Sequence, residues 1–172
     1  ARTDRADGRA IGYALFMPSL ALLLTLFASF AQPPARISAD ASHTPGVTLR
    51  LYQLEGDGLK AIPKLKEGQT PNVDELRPTI DWGSDDFATI KAPFYTQVIA
   101  QLVTAKEGDY TFRLTSDDGS RLTLNGKVLI DHDGRHGATP KASEQVRLTA
   151  GRHALLVEHF DHTGQRVLRL EW

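Results

Sequence analysis

The chain has 172 residues, a formal net charge of −1 and no cysteine. This length suffices for one domain with its own core plus an appended segment. The missing cysteine excludes disulfides, thiolate nucleophiles and cysteine-ligated zinc, and scattered Lys and Arg do not form the basic stripe that nucleic-acid binding needs. Because the chain begins at Ala1 and ends in a predicted strand at Trp172, we expect a processed or partial piece of a longer protein.

An uncharged apolar run, residues 10–31, dominates the N-terminal part of the chain. About 20 apolar residues span the hydrocarbon core of a bilayer as an α-helix, so this run predicts one transmembrane helix. Three arginines precede it, which favours a cytoplasmic segment 1–9 and an extracytoplasmic remainder. The alternative is a cleaved secretory signal ending at Ser29-Phe30-Ala31. We favour a retained anchor because the run is longer than the apolar region of a signal.

The predicted anchor contains small residues that permit close packing against other transmembrane helices. They are Gly12, Ala14, Ser19 and Ala21. Residues 32–46 carry three prolines among small polar residues. This composition predicts an extended linker between the membrane and the domain that follows.

From residue 47 to residue 172, apolar residues recur at every second position, the period of a strand with one face on a core and one in water. A long connection rich in Gly, Pro and Lys, residues 55–79, follows the first predicted strand at 47–53. Further strands are predicted at 80–82, 95–104, 110–115, 122–124, 128–130, 146–148, 153–159 and 167–172. About eight to ten short strands with regular turn signals predict an all-β, antiparallel sandwich or barrel.

Two turns stand out within this domain. Asn125-Gly126 between alternating runs is a strong signal for a β-hairpin. Asp117-Asp118-Gly119 places two carboxylates where the backbone bends. They either bind a cation, for which Ca²⁺ with its 6–8 oxygen ligands is suited, or accept backbone N–H bonds within a turn. Neighbouring side chains of a regular strand point to opposite faces, so both reach one cation only if the peptide between them is unusual.

A Gly-rich loop, residues 131–137, is the second candidate site. Its polar side chains are Asp131, Asp133, Arg135 and His136. They either complete a cation site or contact a partner, or they belong to a solvated hairpin end with Asp133-Gly134 as its turn. Pairs of histidines in the chain lie neither on a predicted helix nor near cysteine, which argues against zinc.

The order of motifs in the domain resembles the PA14 domain family. The motifs that carry the resemblance are Gly108-Asp109-Tyr110-Thr111-Phe112, Ser116-Asp117-Asp118-Gly119-Ser120, Leu124-Asn125-Gly126-Lys127, Asp131-His132-Asp133-Gly134, Leu148-Thr149-Ala150-Gly151-Arg152-His153 and Val157-Glu158-His159-Phe160. The resemblance covers roughly residues 47–172. Two positions depart from it: Asn125 stands where the family often has Asp, and His159 stands where it often has Tyr.

The resemblance implies a β-barrel-like sandwich that is extracytoplasmic and non-catalytic, with carbohydrate as the usual ligand. In adhesin members of the family, two consecutive aspartates joined by a cis peptide bind Ca²⁺, which in turn holds sugar hydroxyls. By motif, that pair corresponds to Asp117 and Asp118. The remaining ligands of those members do not align with this sequence.

The sequence does not indicate an enzyme. It has no nucleophile elbow, phosphate-binding loop or triad order, and adjacent acids are too close for opposed glycosidase carboxylates. We favour an accessory or structural subunit of a membrane protein complex. Its helix would lie in the lipid bilayer against other subunits, and its β domain would be periplasmic or extracellular. The alternative is a calcium-dependent, adhesin-like carbohydrate-binding domain with glycans as its partners.

Overall fold

The structure, a computed structural model, describes residues 44–172, which form an all-β domain. The strands in chain order are β1 (Val47–Gln53), β2 (Val73–Arg77), β3 (Asp81–Trp82), β4 (Phe94–Thr104), β5 (Gly108–Tyr110), β6 (Arg113–Asp117), β7 (Ser120–Leu124), β8 (Lys127–His132), β9 (Thr139–Ala142), β10 (Val146–Leu148), β11 (Gly151–Asp161) and β12 (Val167–Glu171). A short 3-10 turn, Ser84–Phe87, lies between β3 and β4. The prediction of antiparallel all-β architecture is confirmed.

The predicted N-terminal elements fall outside the described residues. These are the segment 1–9, the transmembrane helix 10–31 with Gly12, Ala14, Ser19 and Ala21, and the linker 32–46 up to residue 43. Within residues 44–172 no helix has the length and apolar character needed to cross a bilayer.

Two antiparallel sheets form the body of the domain. The larger has the strand order β2-β1-β4-β11-β7-β8, and the smaller has the order β3-β12-β6-β9. A separate ribbon pairs β5 with β10. The two longest strands, β4 and β11, lie side by side over eleven paired residues, from Phe94↔Asp161 to Thr104↔Gly151. They form the centre of the larger sheet.

Alternation along the strands explains where the core lies. Every second residue of β11 from His153 onward faces inward and is buried, and its neighbours are less buried as far as Glu158. Burial of one face of each strand supplies the main driving force for folding, at roughly 25 cal/mol for each Å² of apolar surface. The fully buried core side chains include Leu49, Leu51, Phe87, Phe94, Val98, Phe112, Leu114, Leu122, Val157 and Leu168.

Three features differ from the sequence-based prediction. The connection predicted over 55–79 contains the edge strand β2, and β9 had not been predicted. The strand predicted at 110–115 is divided between β5 and β6. At this break Phe112 is fully buried, and its backbone N–H and C=O both bond to Ser143 instead of to a neighbouring strand.

Candidate functional site

Asp117 and Asp118 lie in the turn that carries the chain from β6 in the smaller sheet to β7 in the larger one. Both residues are buried, with 8% and 7% of their surface exposed. The peptide bond between them is cis, as the family resemblance implies. Next to them, a Cβ on Gly119 would lie 2.6 Å from a ring carbon of Phe160 and 2.7 Å from the backbone of Gly134. Only glycine allows this close approach, so the turn is packed directly against the 131–137 loop.

The Asp118 carboxylate organises the two loops around it. Its Oδ1 accepts a hydrogen bond from the backbone N–H of His136 at 3.2 Å, and its Oδ2 accepts one from the backbone N–H of His162 at 2.9 Å. The first donor lies in the 131–137 loop, and the second follows the end of β11. The two donors lie 18 and 44 residues away along the chain, so the carboxylate joins separate loops instead of closing a local turn, and the bonds fix its orientation.

His159 supports the aspartate pair from the core. It is fully buried on β11, where its Nε2 lies 3.0 Å from the carbonyl oxygen of Asp117 and its Nδ1 lies 3.1 Å from the Thr96 hydroxyl. Because a carbonyl only accepts, Nε2 carries the proton and the hydroxyl of Thr96 donates to Nδ1. Burial lowers the pKa of His159 to about 4, so the imidazole is neutral at pH 7. It therefore positions Asp117 without adding charge.

Asp161 is a third buried carboxylate, two residues beyond His159. Its surface is fully buried, and neither carboxylate oxygen accepts a hydrogen bond from the described residues. Arg166 Nε lies 3.4 Å from its Oδ2. Burial raises the pKa of Asp161 to about 6, Arg166 opposes that shift, and the negative charges of Asp118 and Asp117 add to it. No local sequence motif marks Asp161, because its proximity to the pair follows from long-range strand pairing.

The surroundings of Asp117 disfavour ionisation of its carboxyl group. Burial raises the pKa of Asp117, and the neighbouring Asp118 carboxylate raises it further. Like charges placed together disfavour simultaneous ionisation, and a nearby cation relieves this cost. Within residues 44–172 no group of three or more His, Asp or Glu side chains is arranged to hold a metal ion. The carboxylate pair would therefore supply only part of a coordination shell.

The residues predicted in the 131–137 loop have separate roles. Asp131 belongs to strand β8, where it is exposed and its Oδ1 lies 3.4 Å from Arg121 Nη2. Its role as a ligand or partner contact stays a prediction. His136 stacks on His132 with ring centroids 3.9 Å apart. Burial lowers the pKa of His132, and the neighbouring His136 and Lys141 lower it further. The backbone N–H of His136, one member of this stacked pair, is the group that binds Asp118.

Asp133 and Arg135 join the loop to the long connection after β1. Asp133 Oδ1 accepts a hydrogen bond from the backbone N–H of Ile62 at 2.8 Å. Arg135 donates from Nε to the carbonyl oxygen of Leu59 at 2.5 Å and from Nη2 to that of Asp57 at 3.0 Å. These two side chains are therefore engaged in holding a second loop, which forms a wall beside the aspartate pair.

A cavity lies at the end of the sheets opposite the aspartate pair. Its volume is about 780 Å³, and it is lined by residues from both sheets, among them Val47, Leu102, Leu155, Leu170 and Trp172. Trp172 and Val103 are largely exposed there. At its rim Arg169 and Asp81 form an ion pair, with Nε 2.6 Å from Oδ1. This apolar groove has none of the buried carboxylates of the loop end.

Residues 44–172 match the model of the PA14 domain family. This chain belongs to that family. The resemblance found in the sequence is thus confirmed for the β domain.

Three similar proteins serve for comparison. The anti-sigma-I factor RsgI3 of Acetivibrio thermocellus is 30% identical over 95 residues, which is 54% of this chain but 15% of that protein. A structure of the PA14 sugar-binding domain of an RTX adhesin has a TM-score of 0.66 at 20% identity, covering 75% of this chain and 89% of that one. A structure of the PA14 domain of the antifreeze protein MpAFP has a TM-score of 0.64 at 15% identity, covering 75% and 85%. The two structures show the same fold.

Proposed function

We propose that this chain is a non-catalytic, extracytoplasmic carbohydrate-binding module in which Asp117 and Asp118 hold a calcium ion. The observation that carries the proposal is the geometry of the pair. Two adjacent carboxylates are buried in one turn, one is fixed by two backbone N–H groups, and the other is held at its carbonyl by His159. Such preorganisation suits a site that must bind without large rearrangement.

The donor set fits calcium. Ca²⁺ is a hard cation that takes 6–8 oxygen ligands, which carboxylates, carbonyls, water and hydroxyls all supply. Two carboxylates alone leave coordination positions open, and a bound calcium ion would offer those positions to sugar hydroxyls. The name of the sugar-binding adhesin domain supports carbohydrate as the ligand class.

Location and attachment form the second part of the proposal. The apolar run 10–31 supports a single-pass membrane anchor, with the β domain outside the cytoplasm. A role as an accessory subunit that contacts other membrane proteins remains the second candidate. The relative named as an anti-sigma-I factor favours it, because a regulatory protein acts through protein partners. Fractionation of cells into membrane and soluble pools tests the anchor.

Calorimetry of the full chain with calcium, and then a glycan array with and without a chelator, tests the binding function. We expect saturable calcium binding and glycan binding that the chelator removes. The double variant D117N/D118N should lose both. The double variant D85N/D86N is the matched control, because it changes the chain's other consecutive aspartates, which lie in the 3-10 turn. Unchanged calcium affinity in D117N/D118N, or chelator-resistant glycan binding, contradicts the proposal.

A further inference from the structure

A second cavity, with a mixed polar and apolar lining, lies in the long connection between β1 and β2. Its volume is about 670 Å³, within the range of small-molecule sites. Leu54, Leu59 and Pro63 line it with half-buried apolar surface, and polar side chains complete the lining. A sugar ring offers an apolar C–H face and a hydroxyl edge, so a mixed lining of this kind matches it.

The cavity is joined to the aspartate pair by a short chain of hydrogen bonds. His162 donates from Nε2 to the carbonyl oxygen of Asp57 at 2.6 Å, and its backbone N–H donates to Asp118 Oδ2. Asp57 lies between Glu55 and Gly58, both of which line the cavity. Arg135 binds the same carbonyl. The wall of the aspartate site and the wall of the cavity are therefore the same stretch of backbone.

The lining is held in place before any ligand binds. Gln53 Nε2 lies 2.8 Å from the carbonyl oxygen of Lys91 and 2.9 Å from that of Pro93, which fixes its amide. Gln69 Oε1 accepts a hydrogen bond from the backbone N–H of Lys66 at 3.2 Å, and the N–H of Gln69 donates to the carbonyl oxygen of Lys66 at 3.1 Å. Two amide side chains thus brace the connection from both sides.

The charge of the cavity indicates the kind of sugar. Its charged lining residues are Lys64, Lys66 and Glu55, so ammonium groups outnumber carboxylates. Among the described residues neither lysine ammonium makes an ion pair or a hydrogen bond, and both side chains are exposed. Lysine binds carboxylate and sulfate groups as a point charge. The aspartate pair on the other side of the wall has the opposite sign.

We propose that this cavity is a subsite for an anionic sugar, carrying a carboxylate or sulfate, in an oligosaccharide whose neighbouring unit occupies the Asp117-Asp118 site. The inference rests on the proposed carbohydrate-binding function and names its ligand class. One oligosaccharide would cross residues 57–59. Lys64 and Lys66 would select the charged unit, and Glu55 and Gln69 would accept or donate hydrogen bonds to hydroxyls.

The test pairs neutral oligosaccharides with carboxylated or sulfated counterparts of the same linkage, bound to the full chain in calcium. The wild type should bind the charged member roughly ten-fold more tightly, as two solvent-exposed charge contacts allow, and added salt should reduce this preference. The double variant K64Q/K66Q should keep its affinity for the neutral member and lose the preference. The variant K60Q is the matched control, because Lys60 is exposed in the same connection but does not line the cavity.

Each outcome separates the subsite from the proposed function. Equal affinity of the wild type for the neutral and the charged oligosaccharide overturns the subsite, and so does a preference for the charged one that survives in K64Q/K66Q. If the neutral oligosaccharide still binds in either case, the proposed carbohydrate-binding function stands. Absence of any glycan binding by the wild type overturns the function, and the subsite with it.

Discussion

The two ends of strand β11 carry the same residue type in different settings. His153 and His159 both face the interior and both are buried. His153 accepts a hydrogen bond at Nδ1 from the Asn125 amide at 3.0 Å and donates from Nε2 to the Thr149 carbonyl at 3.0 Å. His159 donates instead to Asp117, whose carboxylate belongs to the candidate site. His153 thus has a purely structural role, whereas His159 supports the candidate site, because their hydrogen-bond partners differ.

The surroundings of these two histidines differ in the same way. Asn125 Oδ1 also accepts a hydrogen bond from the backbone N–H of Ala154. The side chains bonded to His153 are therefore themselves bonded to backbone groups. Around His159 lie the buried carboxylates of Asp117, Asp118 and Asp161. One end therefore satisfies all its polar groups internally, and the other end keeps acceptor capacity that a ligand can use.

Replacing Gly119 by alanine should have the largest effect. The added Cβ would meet the Gly134 backbone, which cannot move aside as a flexible side chain does. We expect a loss of about 3 kcal/mol in the free energy of unfolding, measured by urea denaturation. The variant Gly137→Ala is the control, since nothing lies within 4 Å of its Cβ, and it should change stability by less than about 0.5 kcal/mol. Equal stability of the two variants would show that the turn is not tightly packed.

Replacing each histidine by phenylalanine tests the two ends directly. Each change leaves buried polar partners unsatisfied and should cost about 2 kcal/mol of unfolding free energy. Only His159→Phe should also weaken calcium binding, by roughly ten-fold, because only it frees the Asp117 carbonyl. His159→Gln, which retains a donor, should recover part of the affinity. Calorimetry at a temperature where all variants are folded measures this, and an equal loss of affinity in His153→Phe would contradict the contrast.

The pH dependence of stability should change when Asp161 becomes asparagine. Between its ordinary pKa and about 6, folded Asp161 retains a proton that the unfolded chain releases, so its contribution falls as pH rises. His159 acts oppositely: between about 4 and 6.5 only the unfolded chain binds its proton, so stability rises with pH. In the wild type the two slopes offset each other.

In Asp161→Asn the slope from His159 remains alone. We expect the variant to gain about 2 kcal/mol more than the wild type in unfolding free energy between pH 4.5 and 6.5. Urea midpoints across this range, with calcium removed, measure the difference. Parallel profiles for variant and wild type would show that the Asp161 carboxyl titrates normally in the folded chain.

Loosening the wall of the site should have the smallest effect. Arg135→Gln removes the guanidinium group that donates hydrogen bonds to the carbonyl oxygens of Asp57 and Leu59. We expect about 1 kcal/mol lower stability and faster amide hydrogen exchange confined to the 54–72 connection. Arg147→Gln is the control, because its ion pairs with Glu107 and Asp109 are exposed and worth little. Unchanged amide hydrogen exchange in Arg135→Gln would show that Arg135 does not hold the 54–72 connection beside the aspartate pair.

Sequence pattern alone determined much of this architecture. Period-two alternation predicts the long strands, because each must bury one face. Asn125 and Gly126 adopt the positive φ values, 50° and 79°, that the predicted hairpin turn requires. The strands that the pattern missed are the edge strands β2 and β9. Their residues are mostly exposed, so they carry no apolar alternation by which to detect them.

The aspartate pair was visible in the sequence because its two members are adjacent. Its supporting groups were not, since His159 and Asp161 approach it through the pairing of β11 with β4 and β7. Asp133 and Arg135 belong to the predicted loop, but the structure gives them the separate task of binding the connection after β1. Local spacing encodes strands and turns, whereas contacts between residues more than forty positions apart depend on which strands become neighbours, and that only the packed sheets decide.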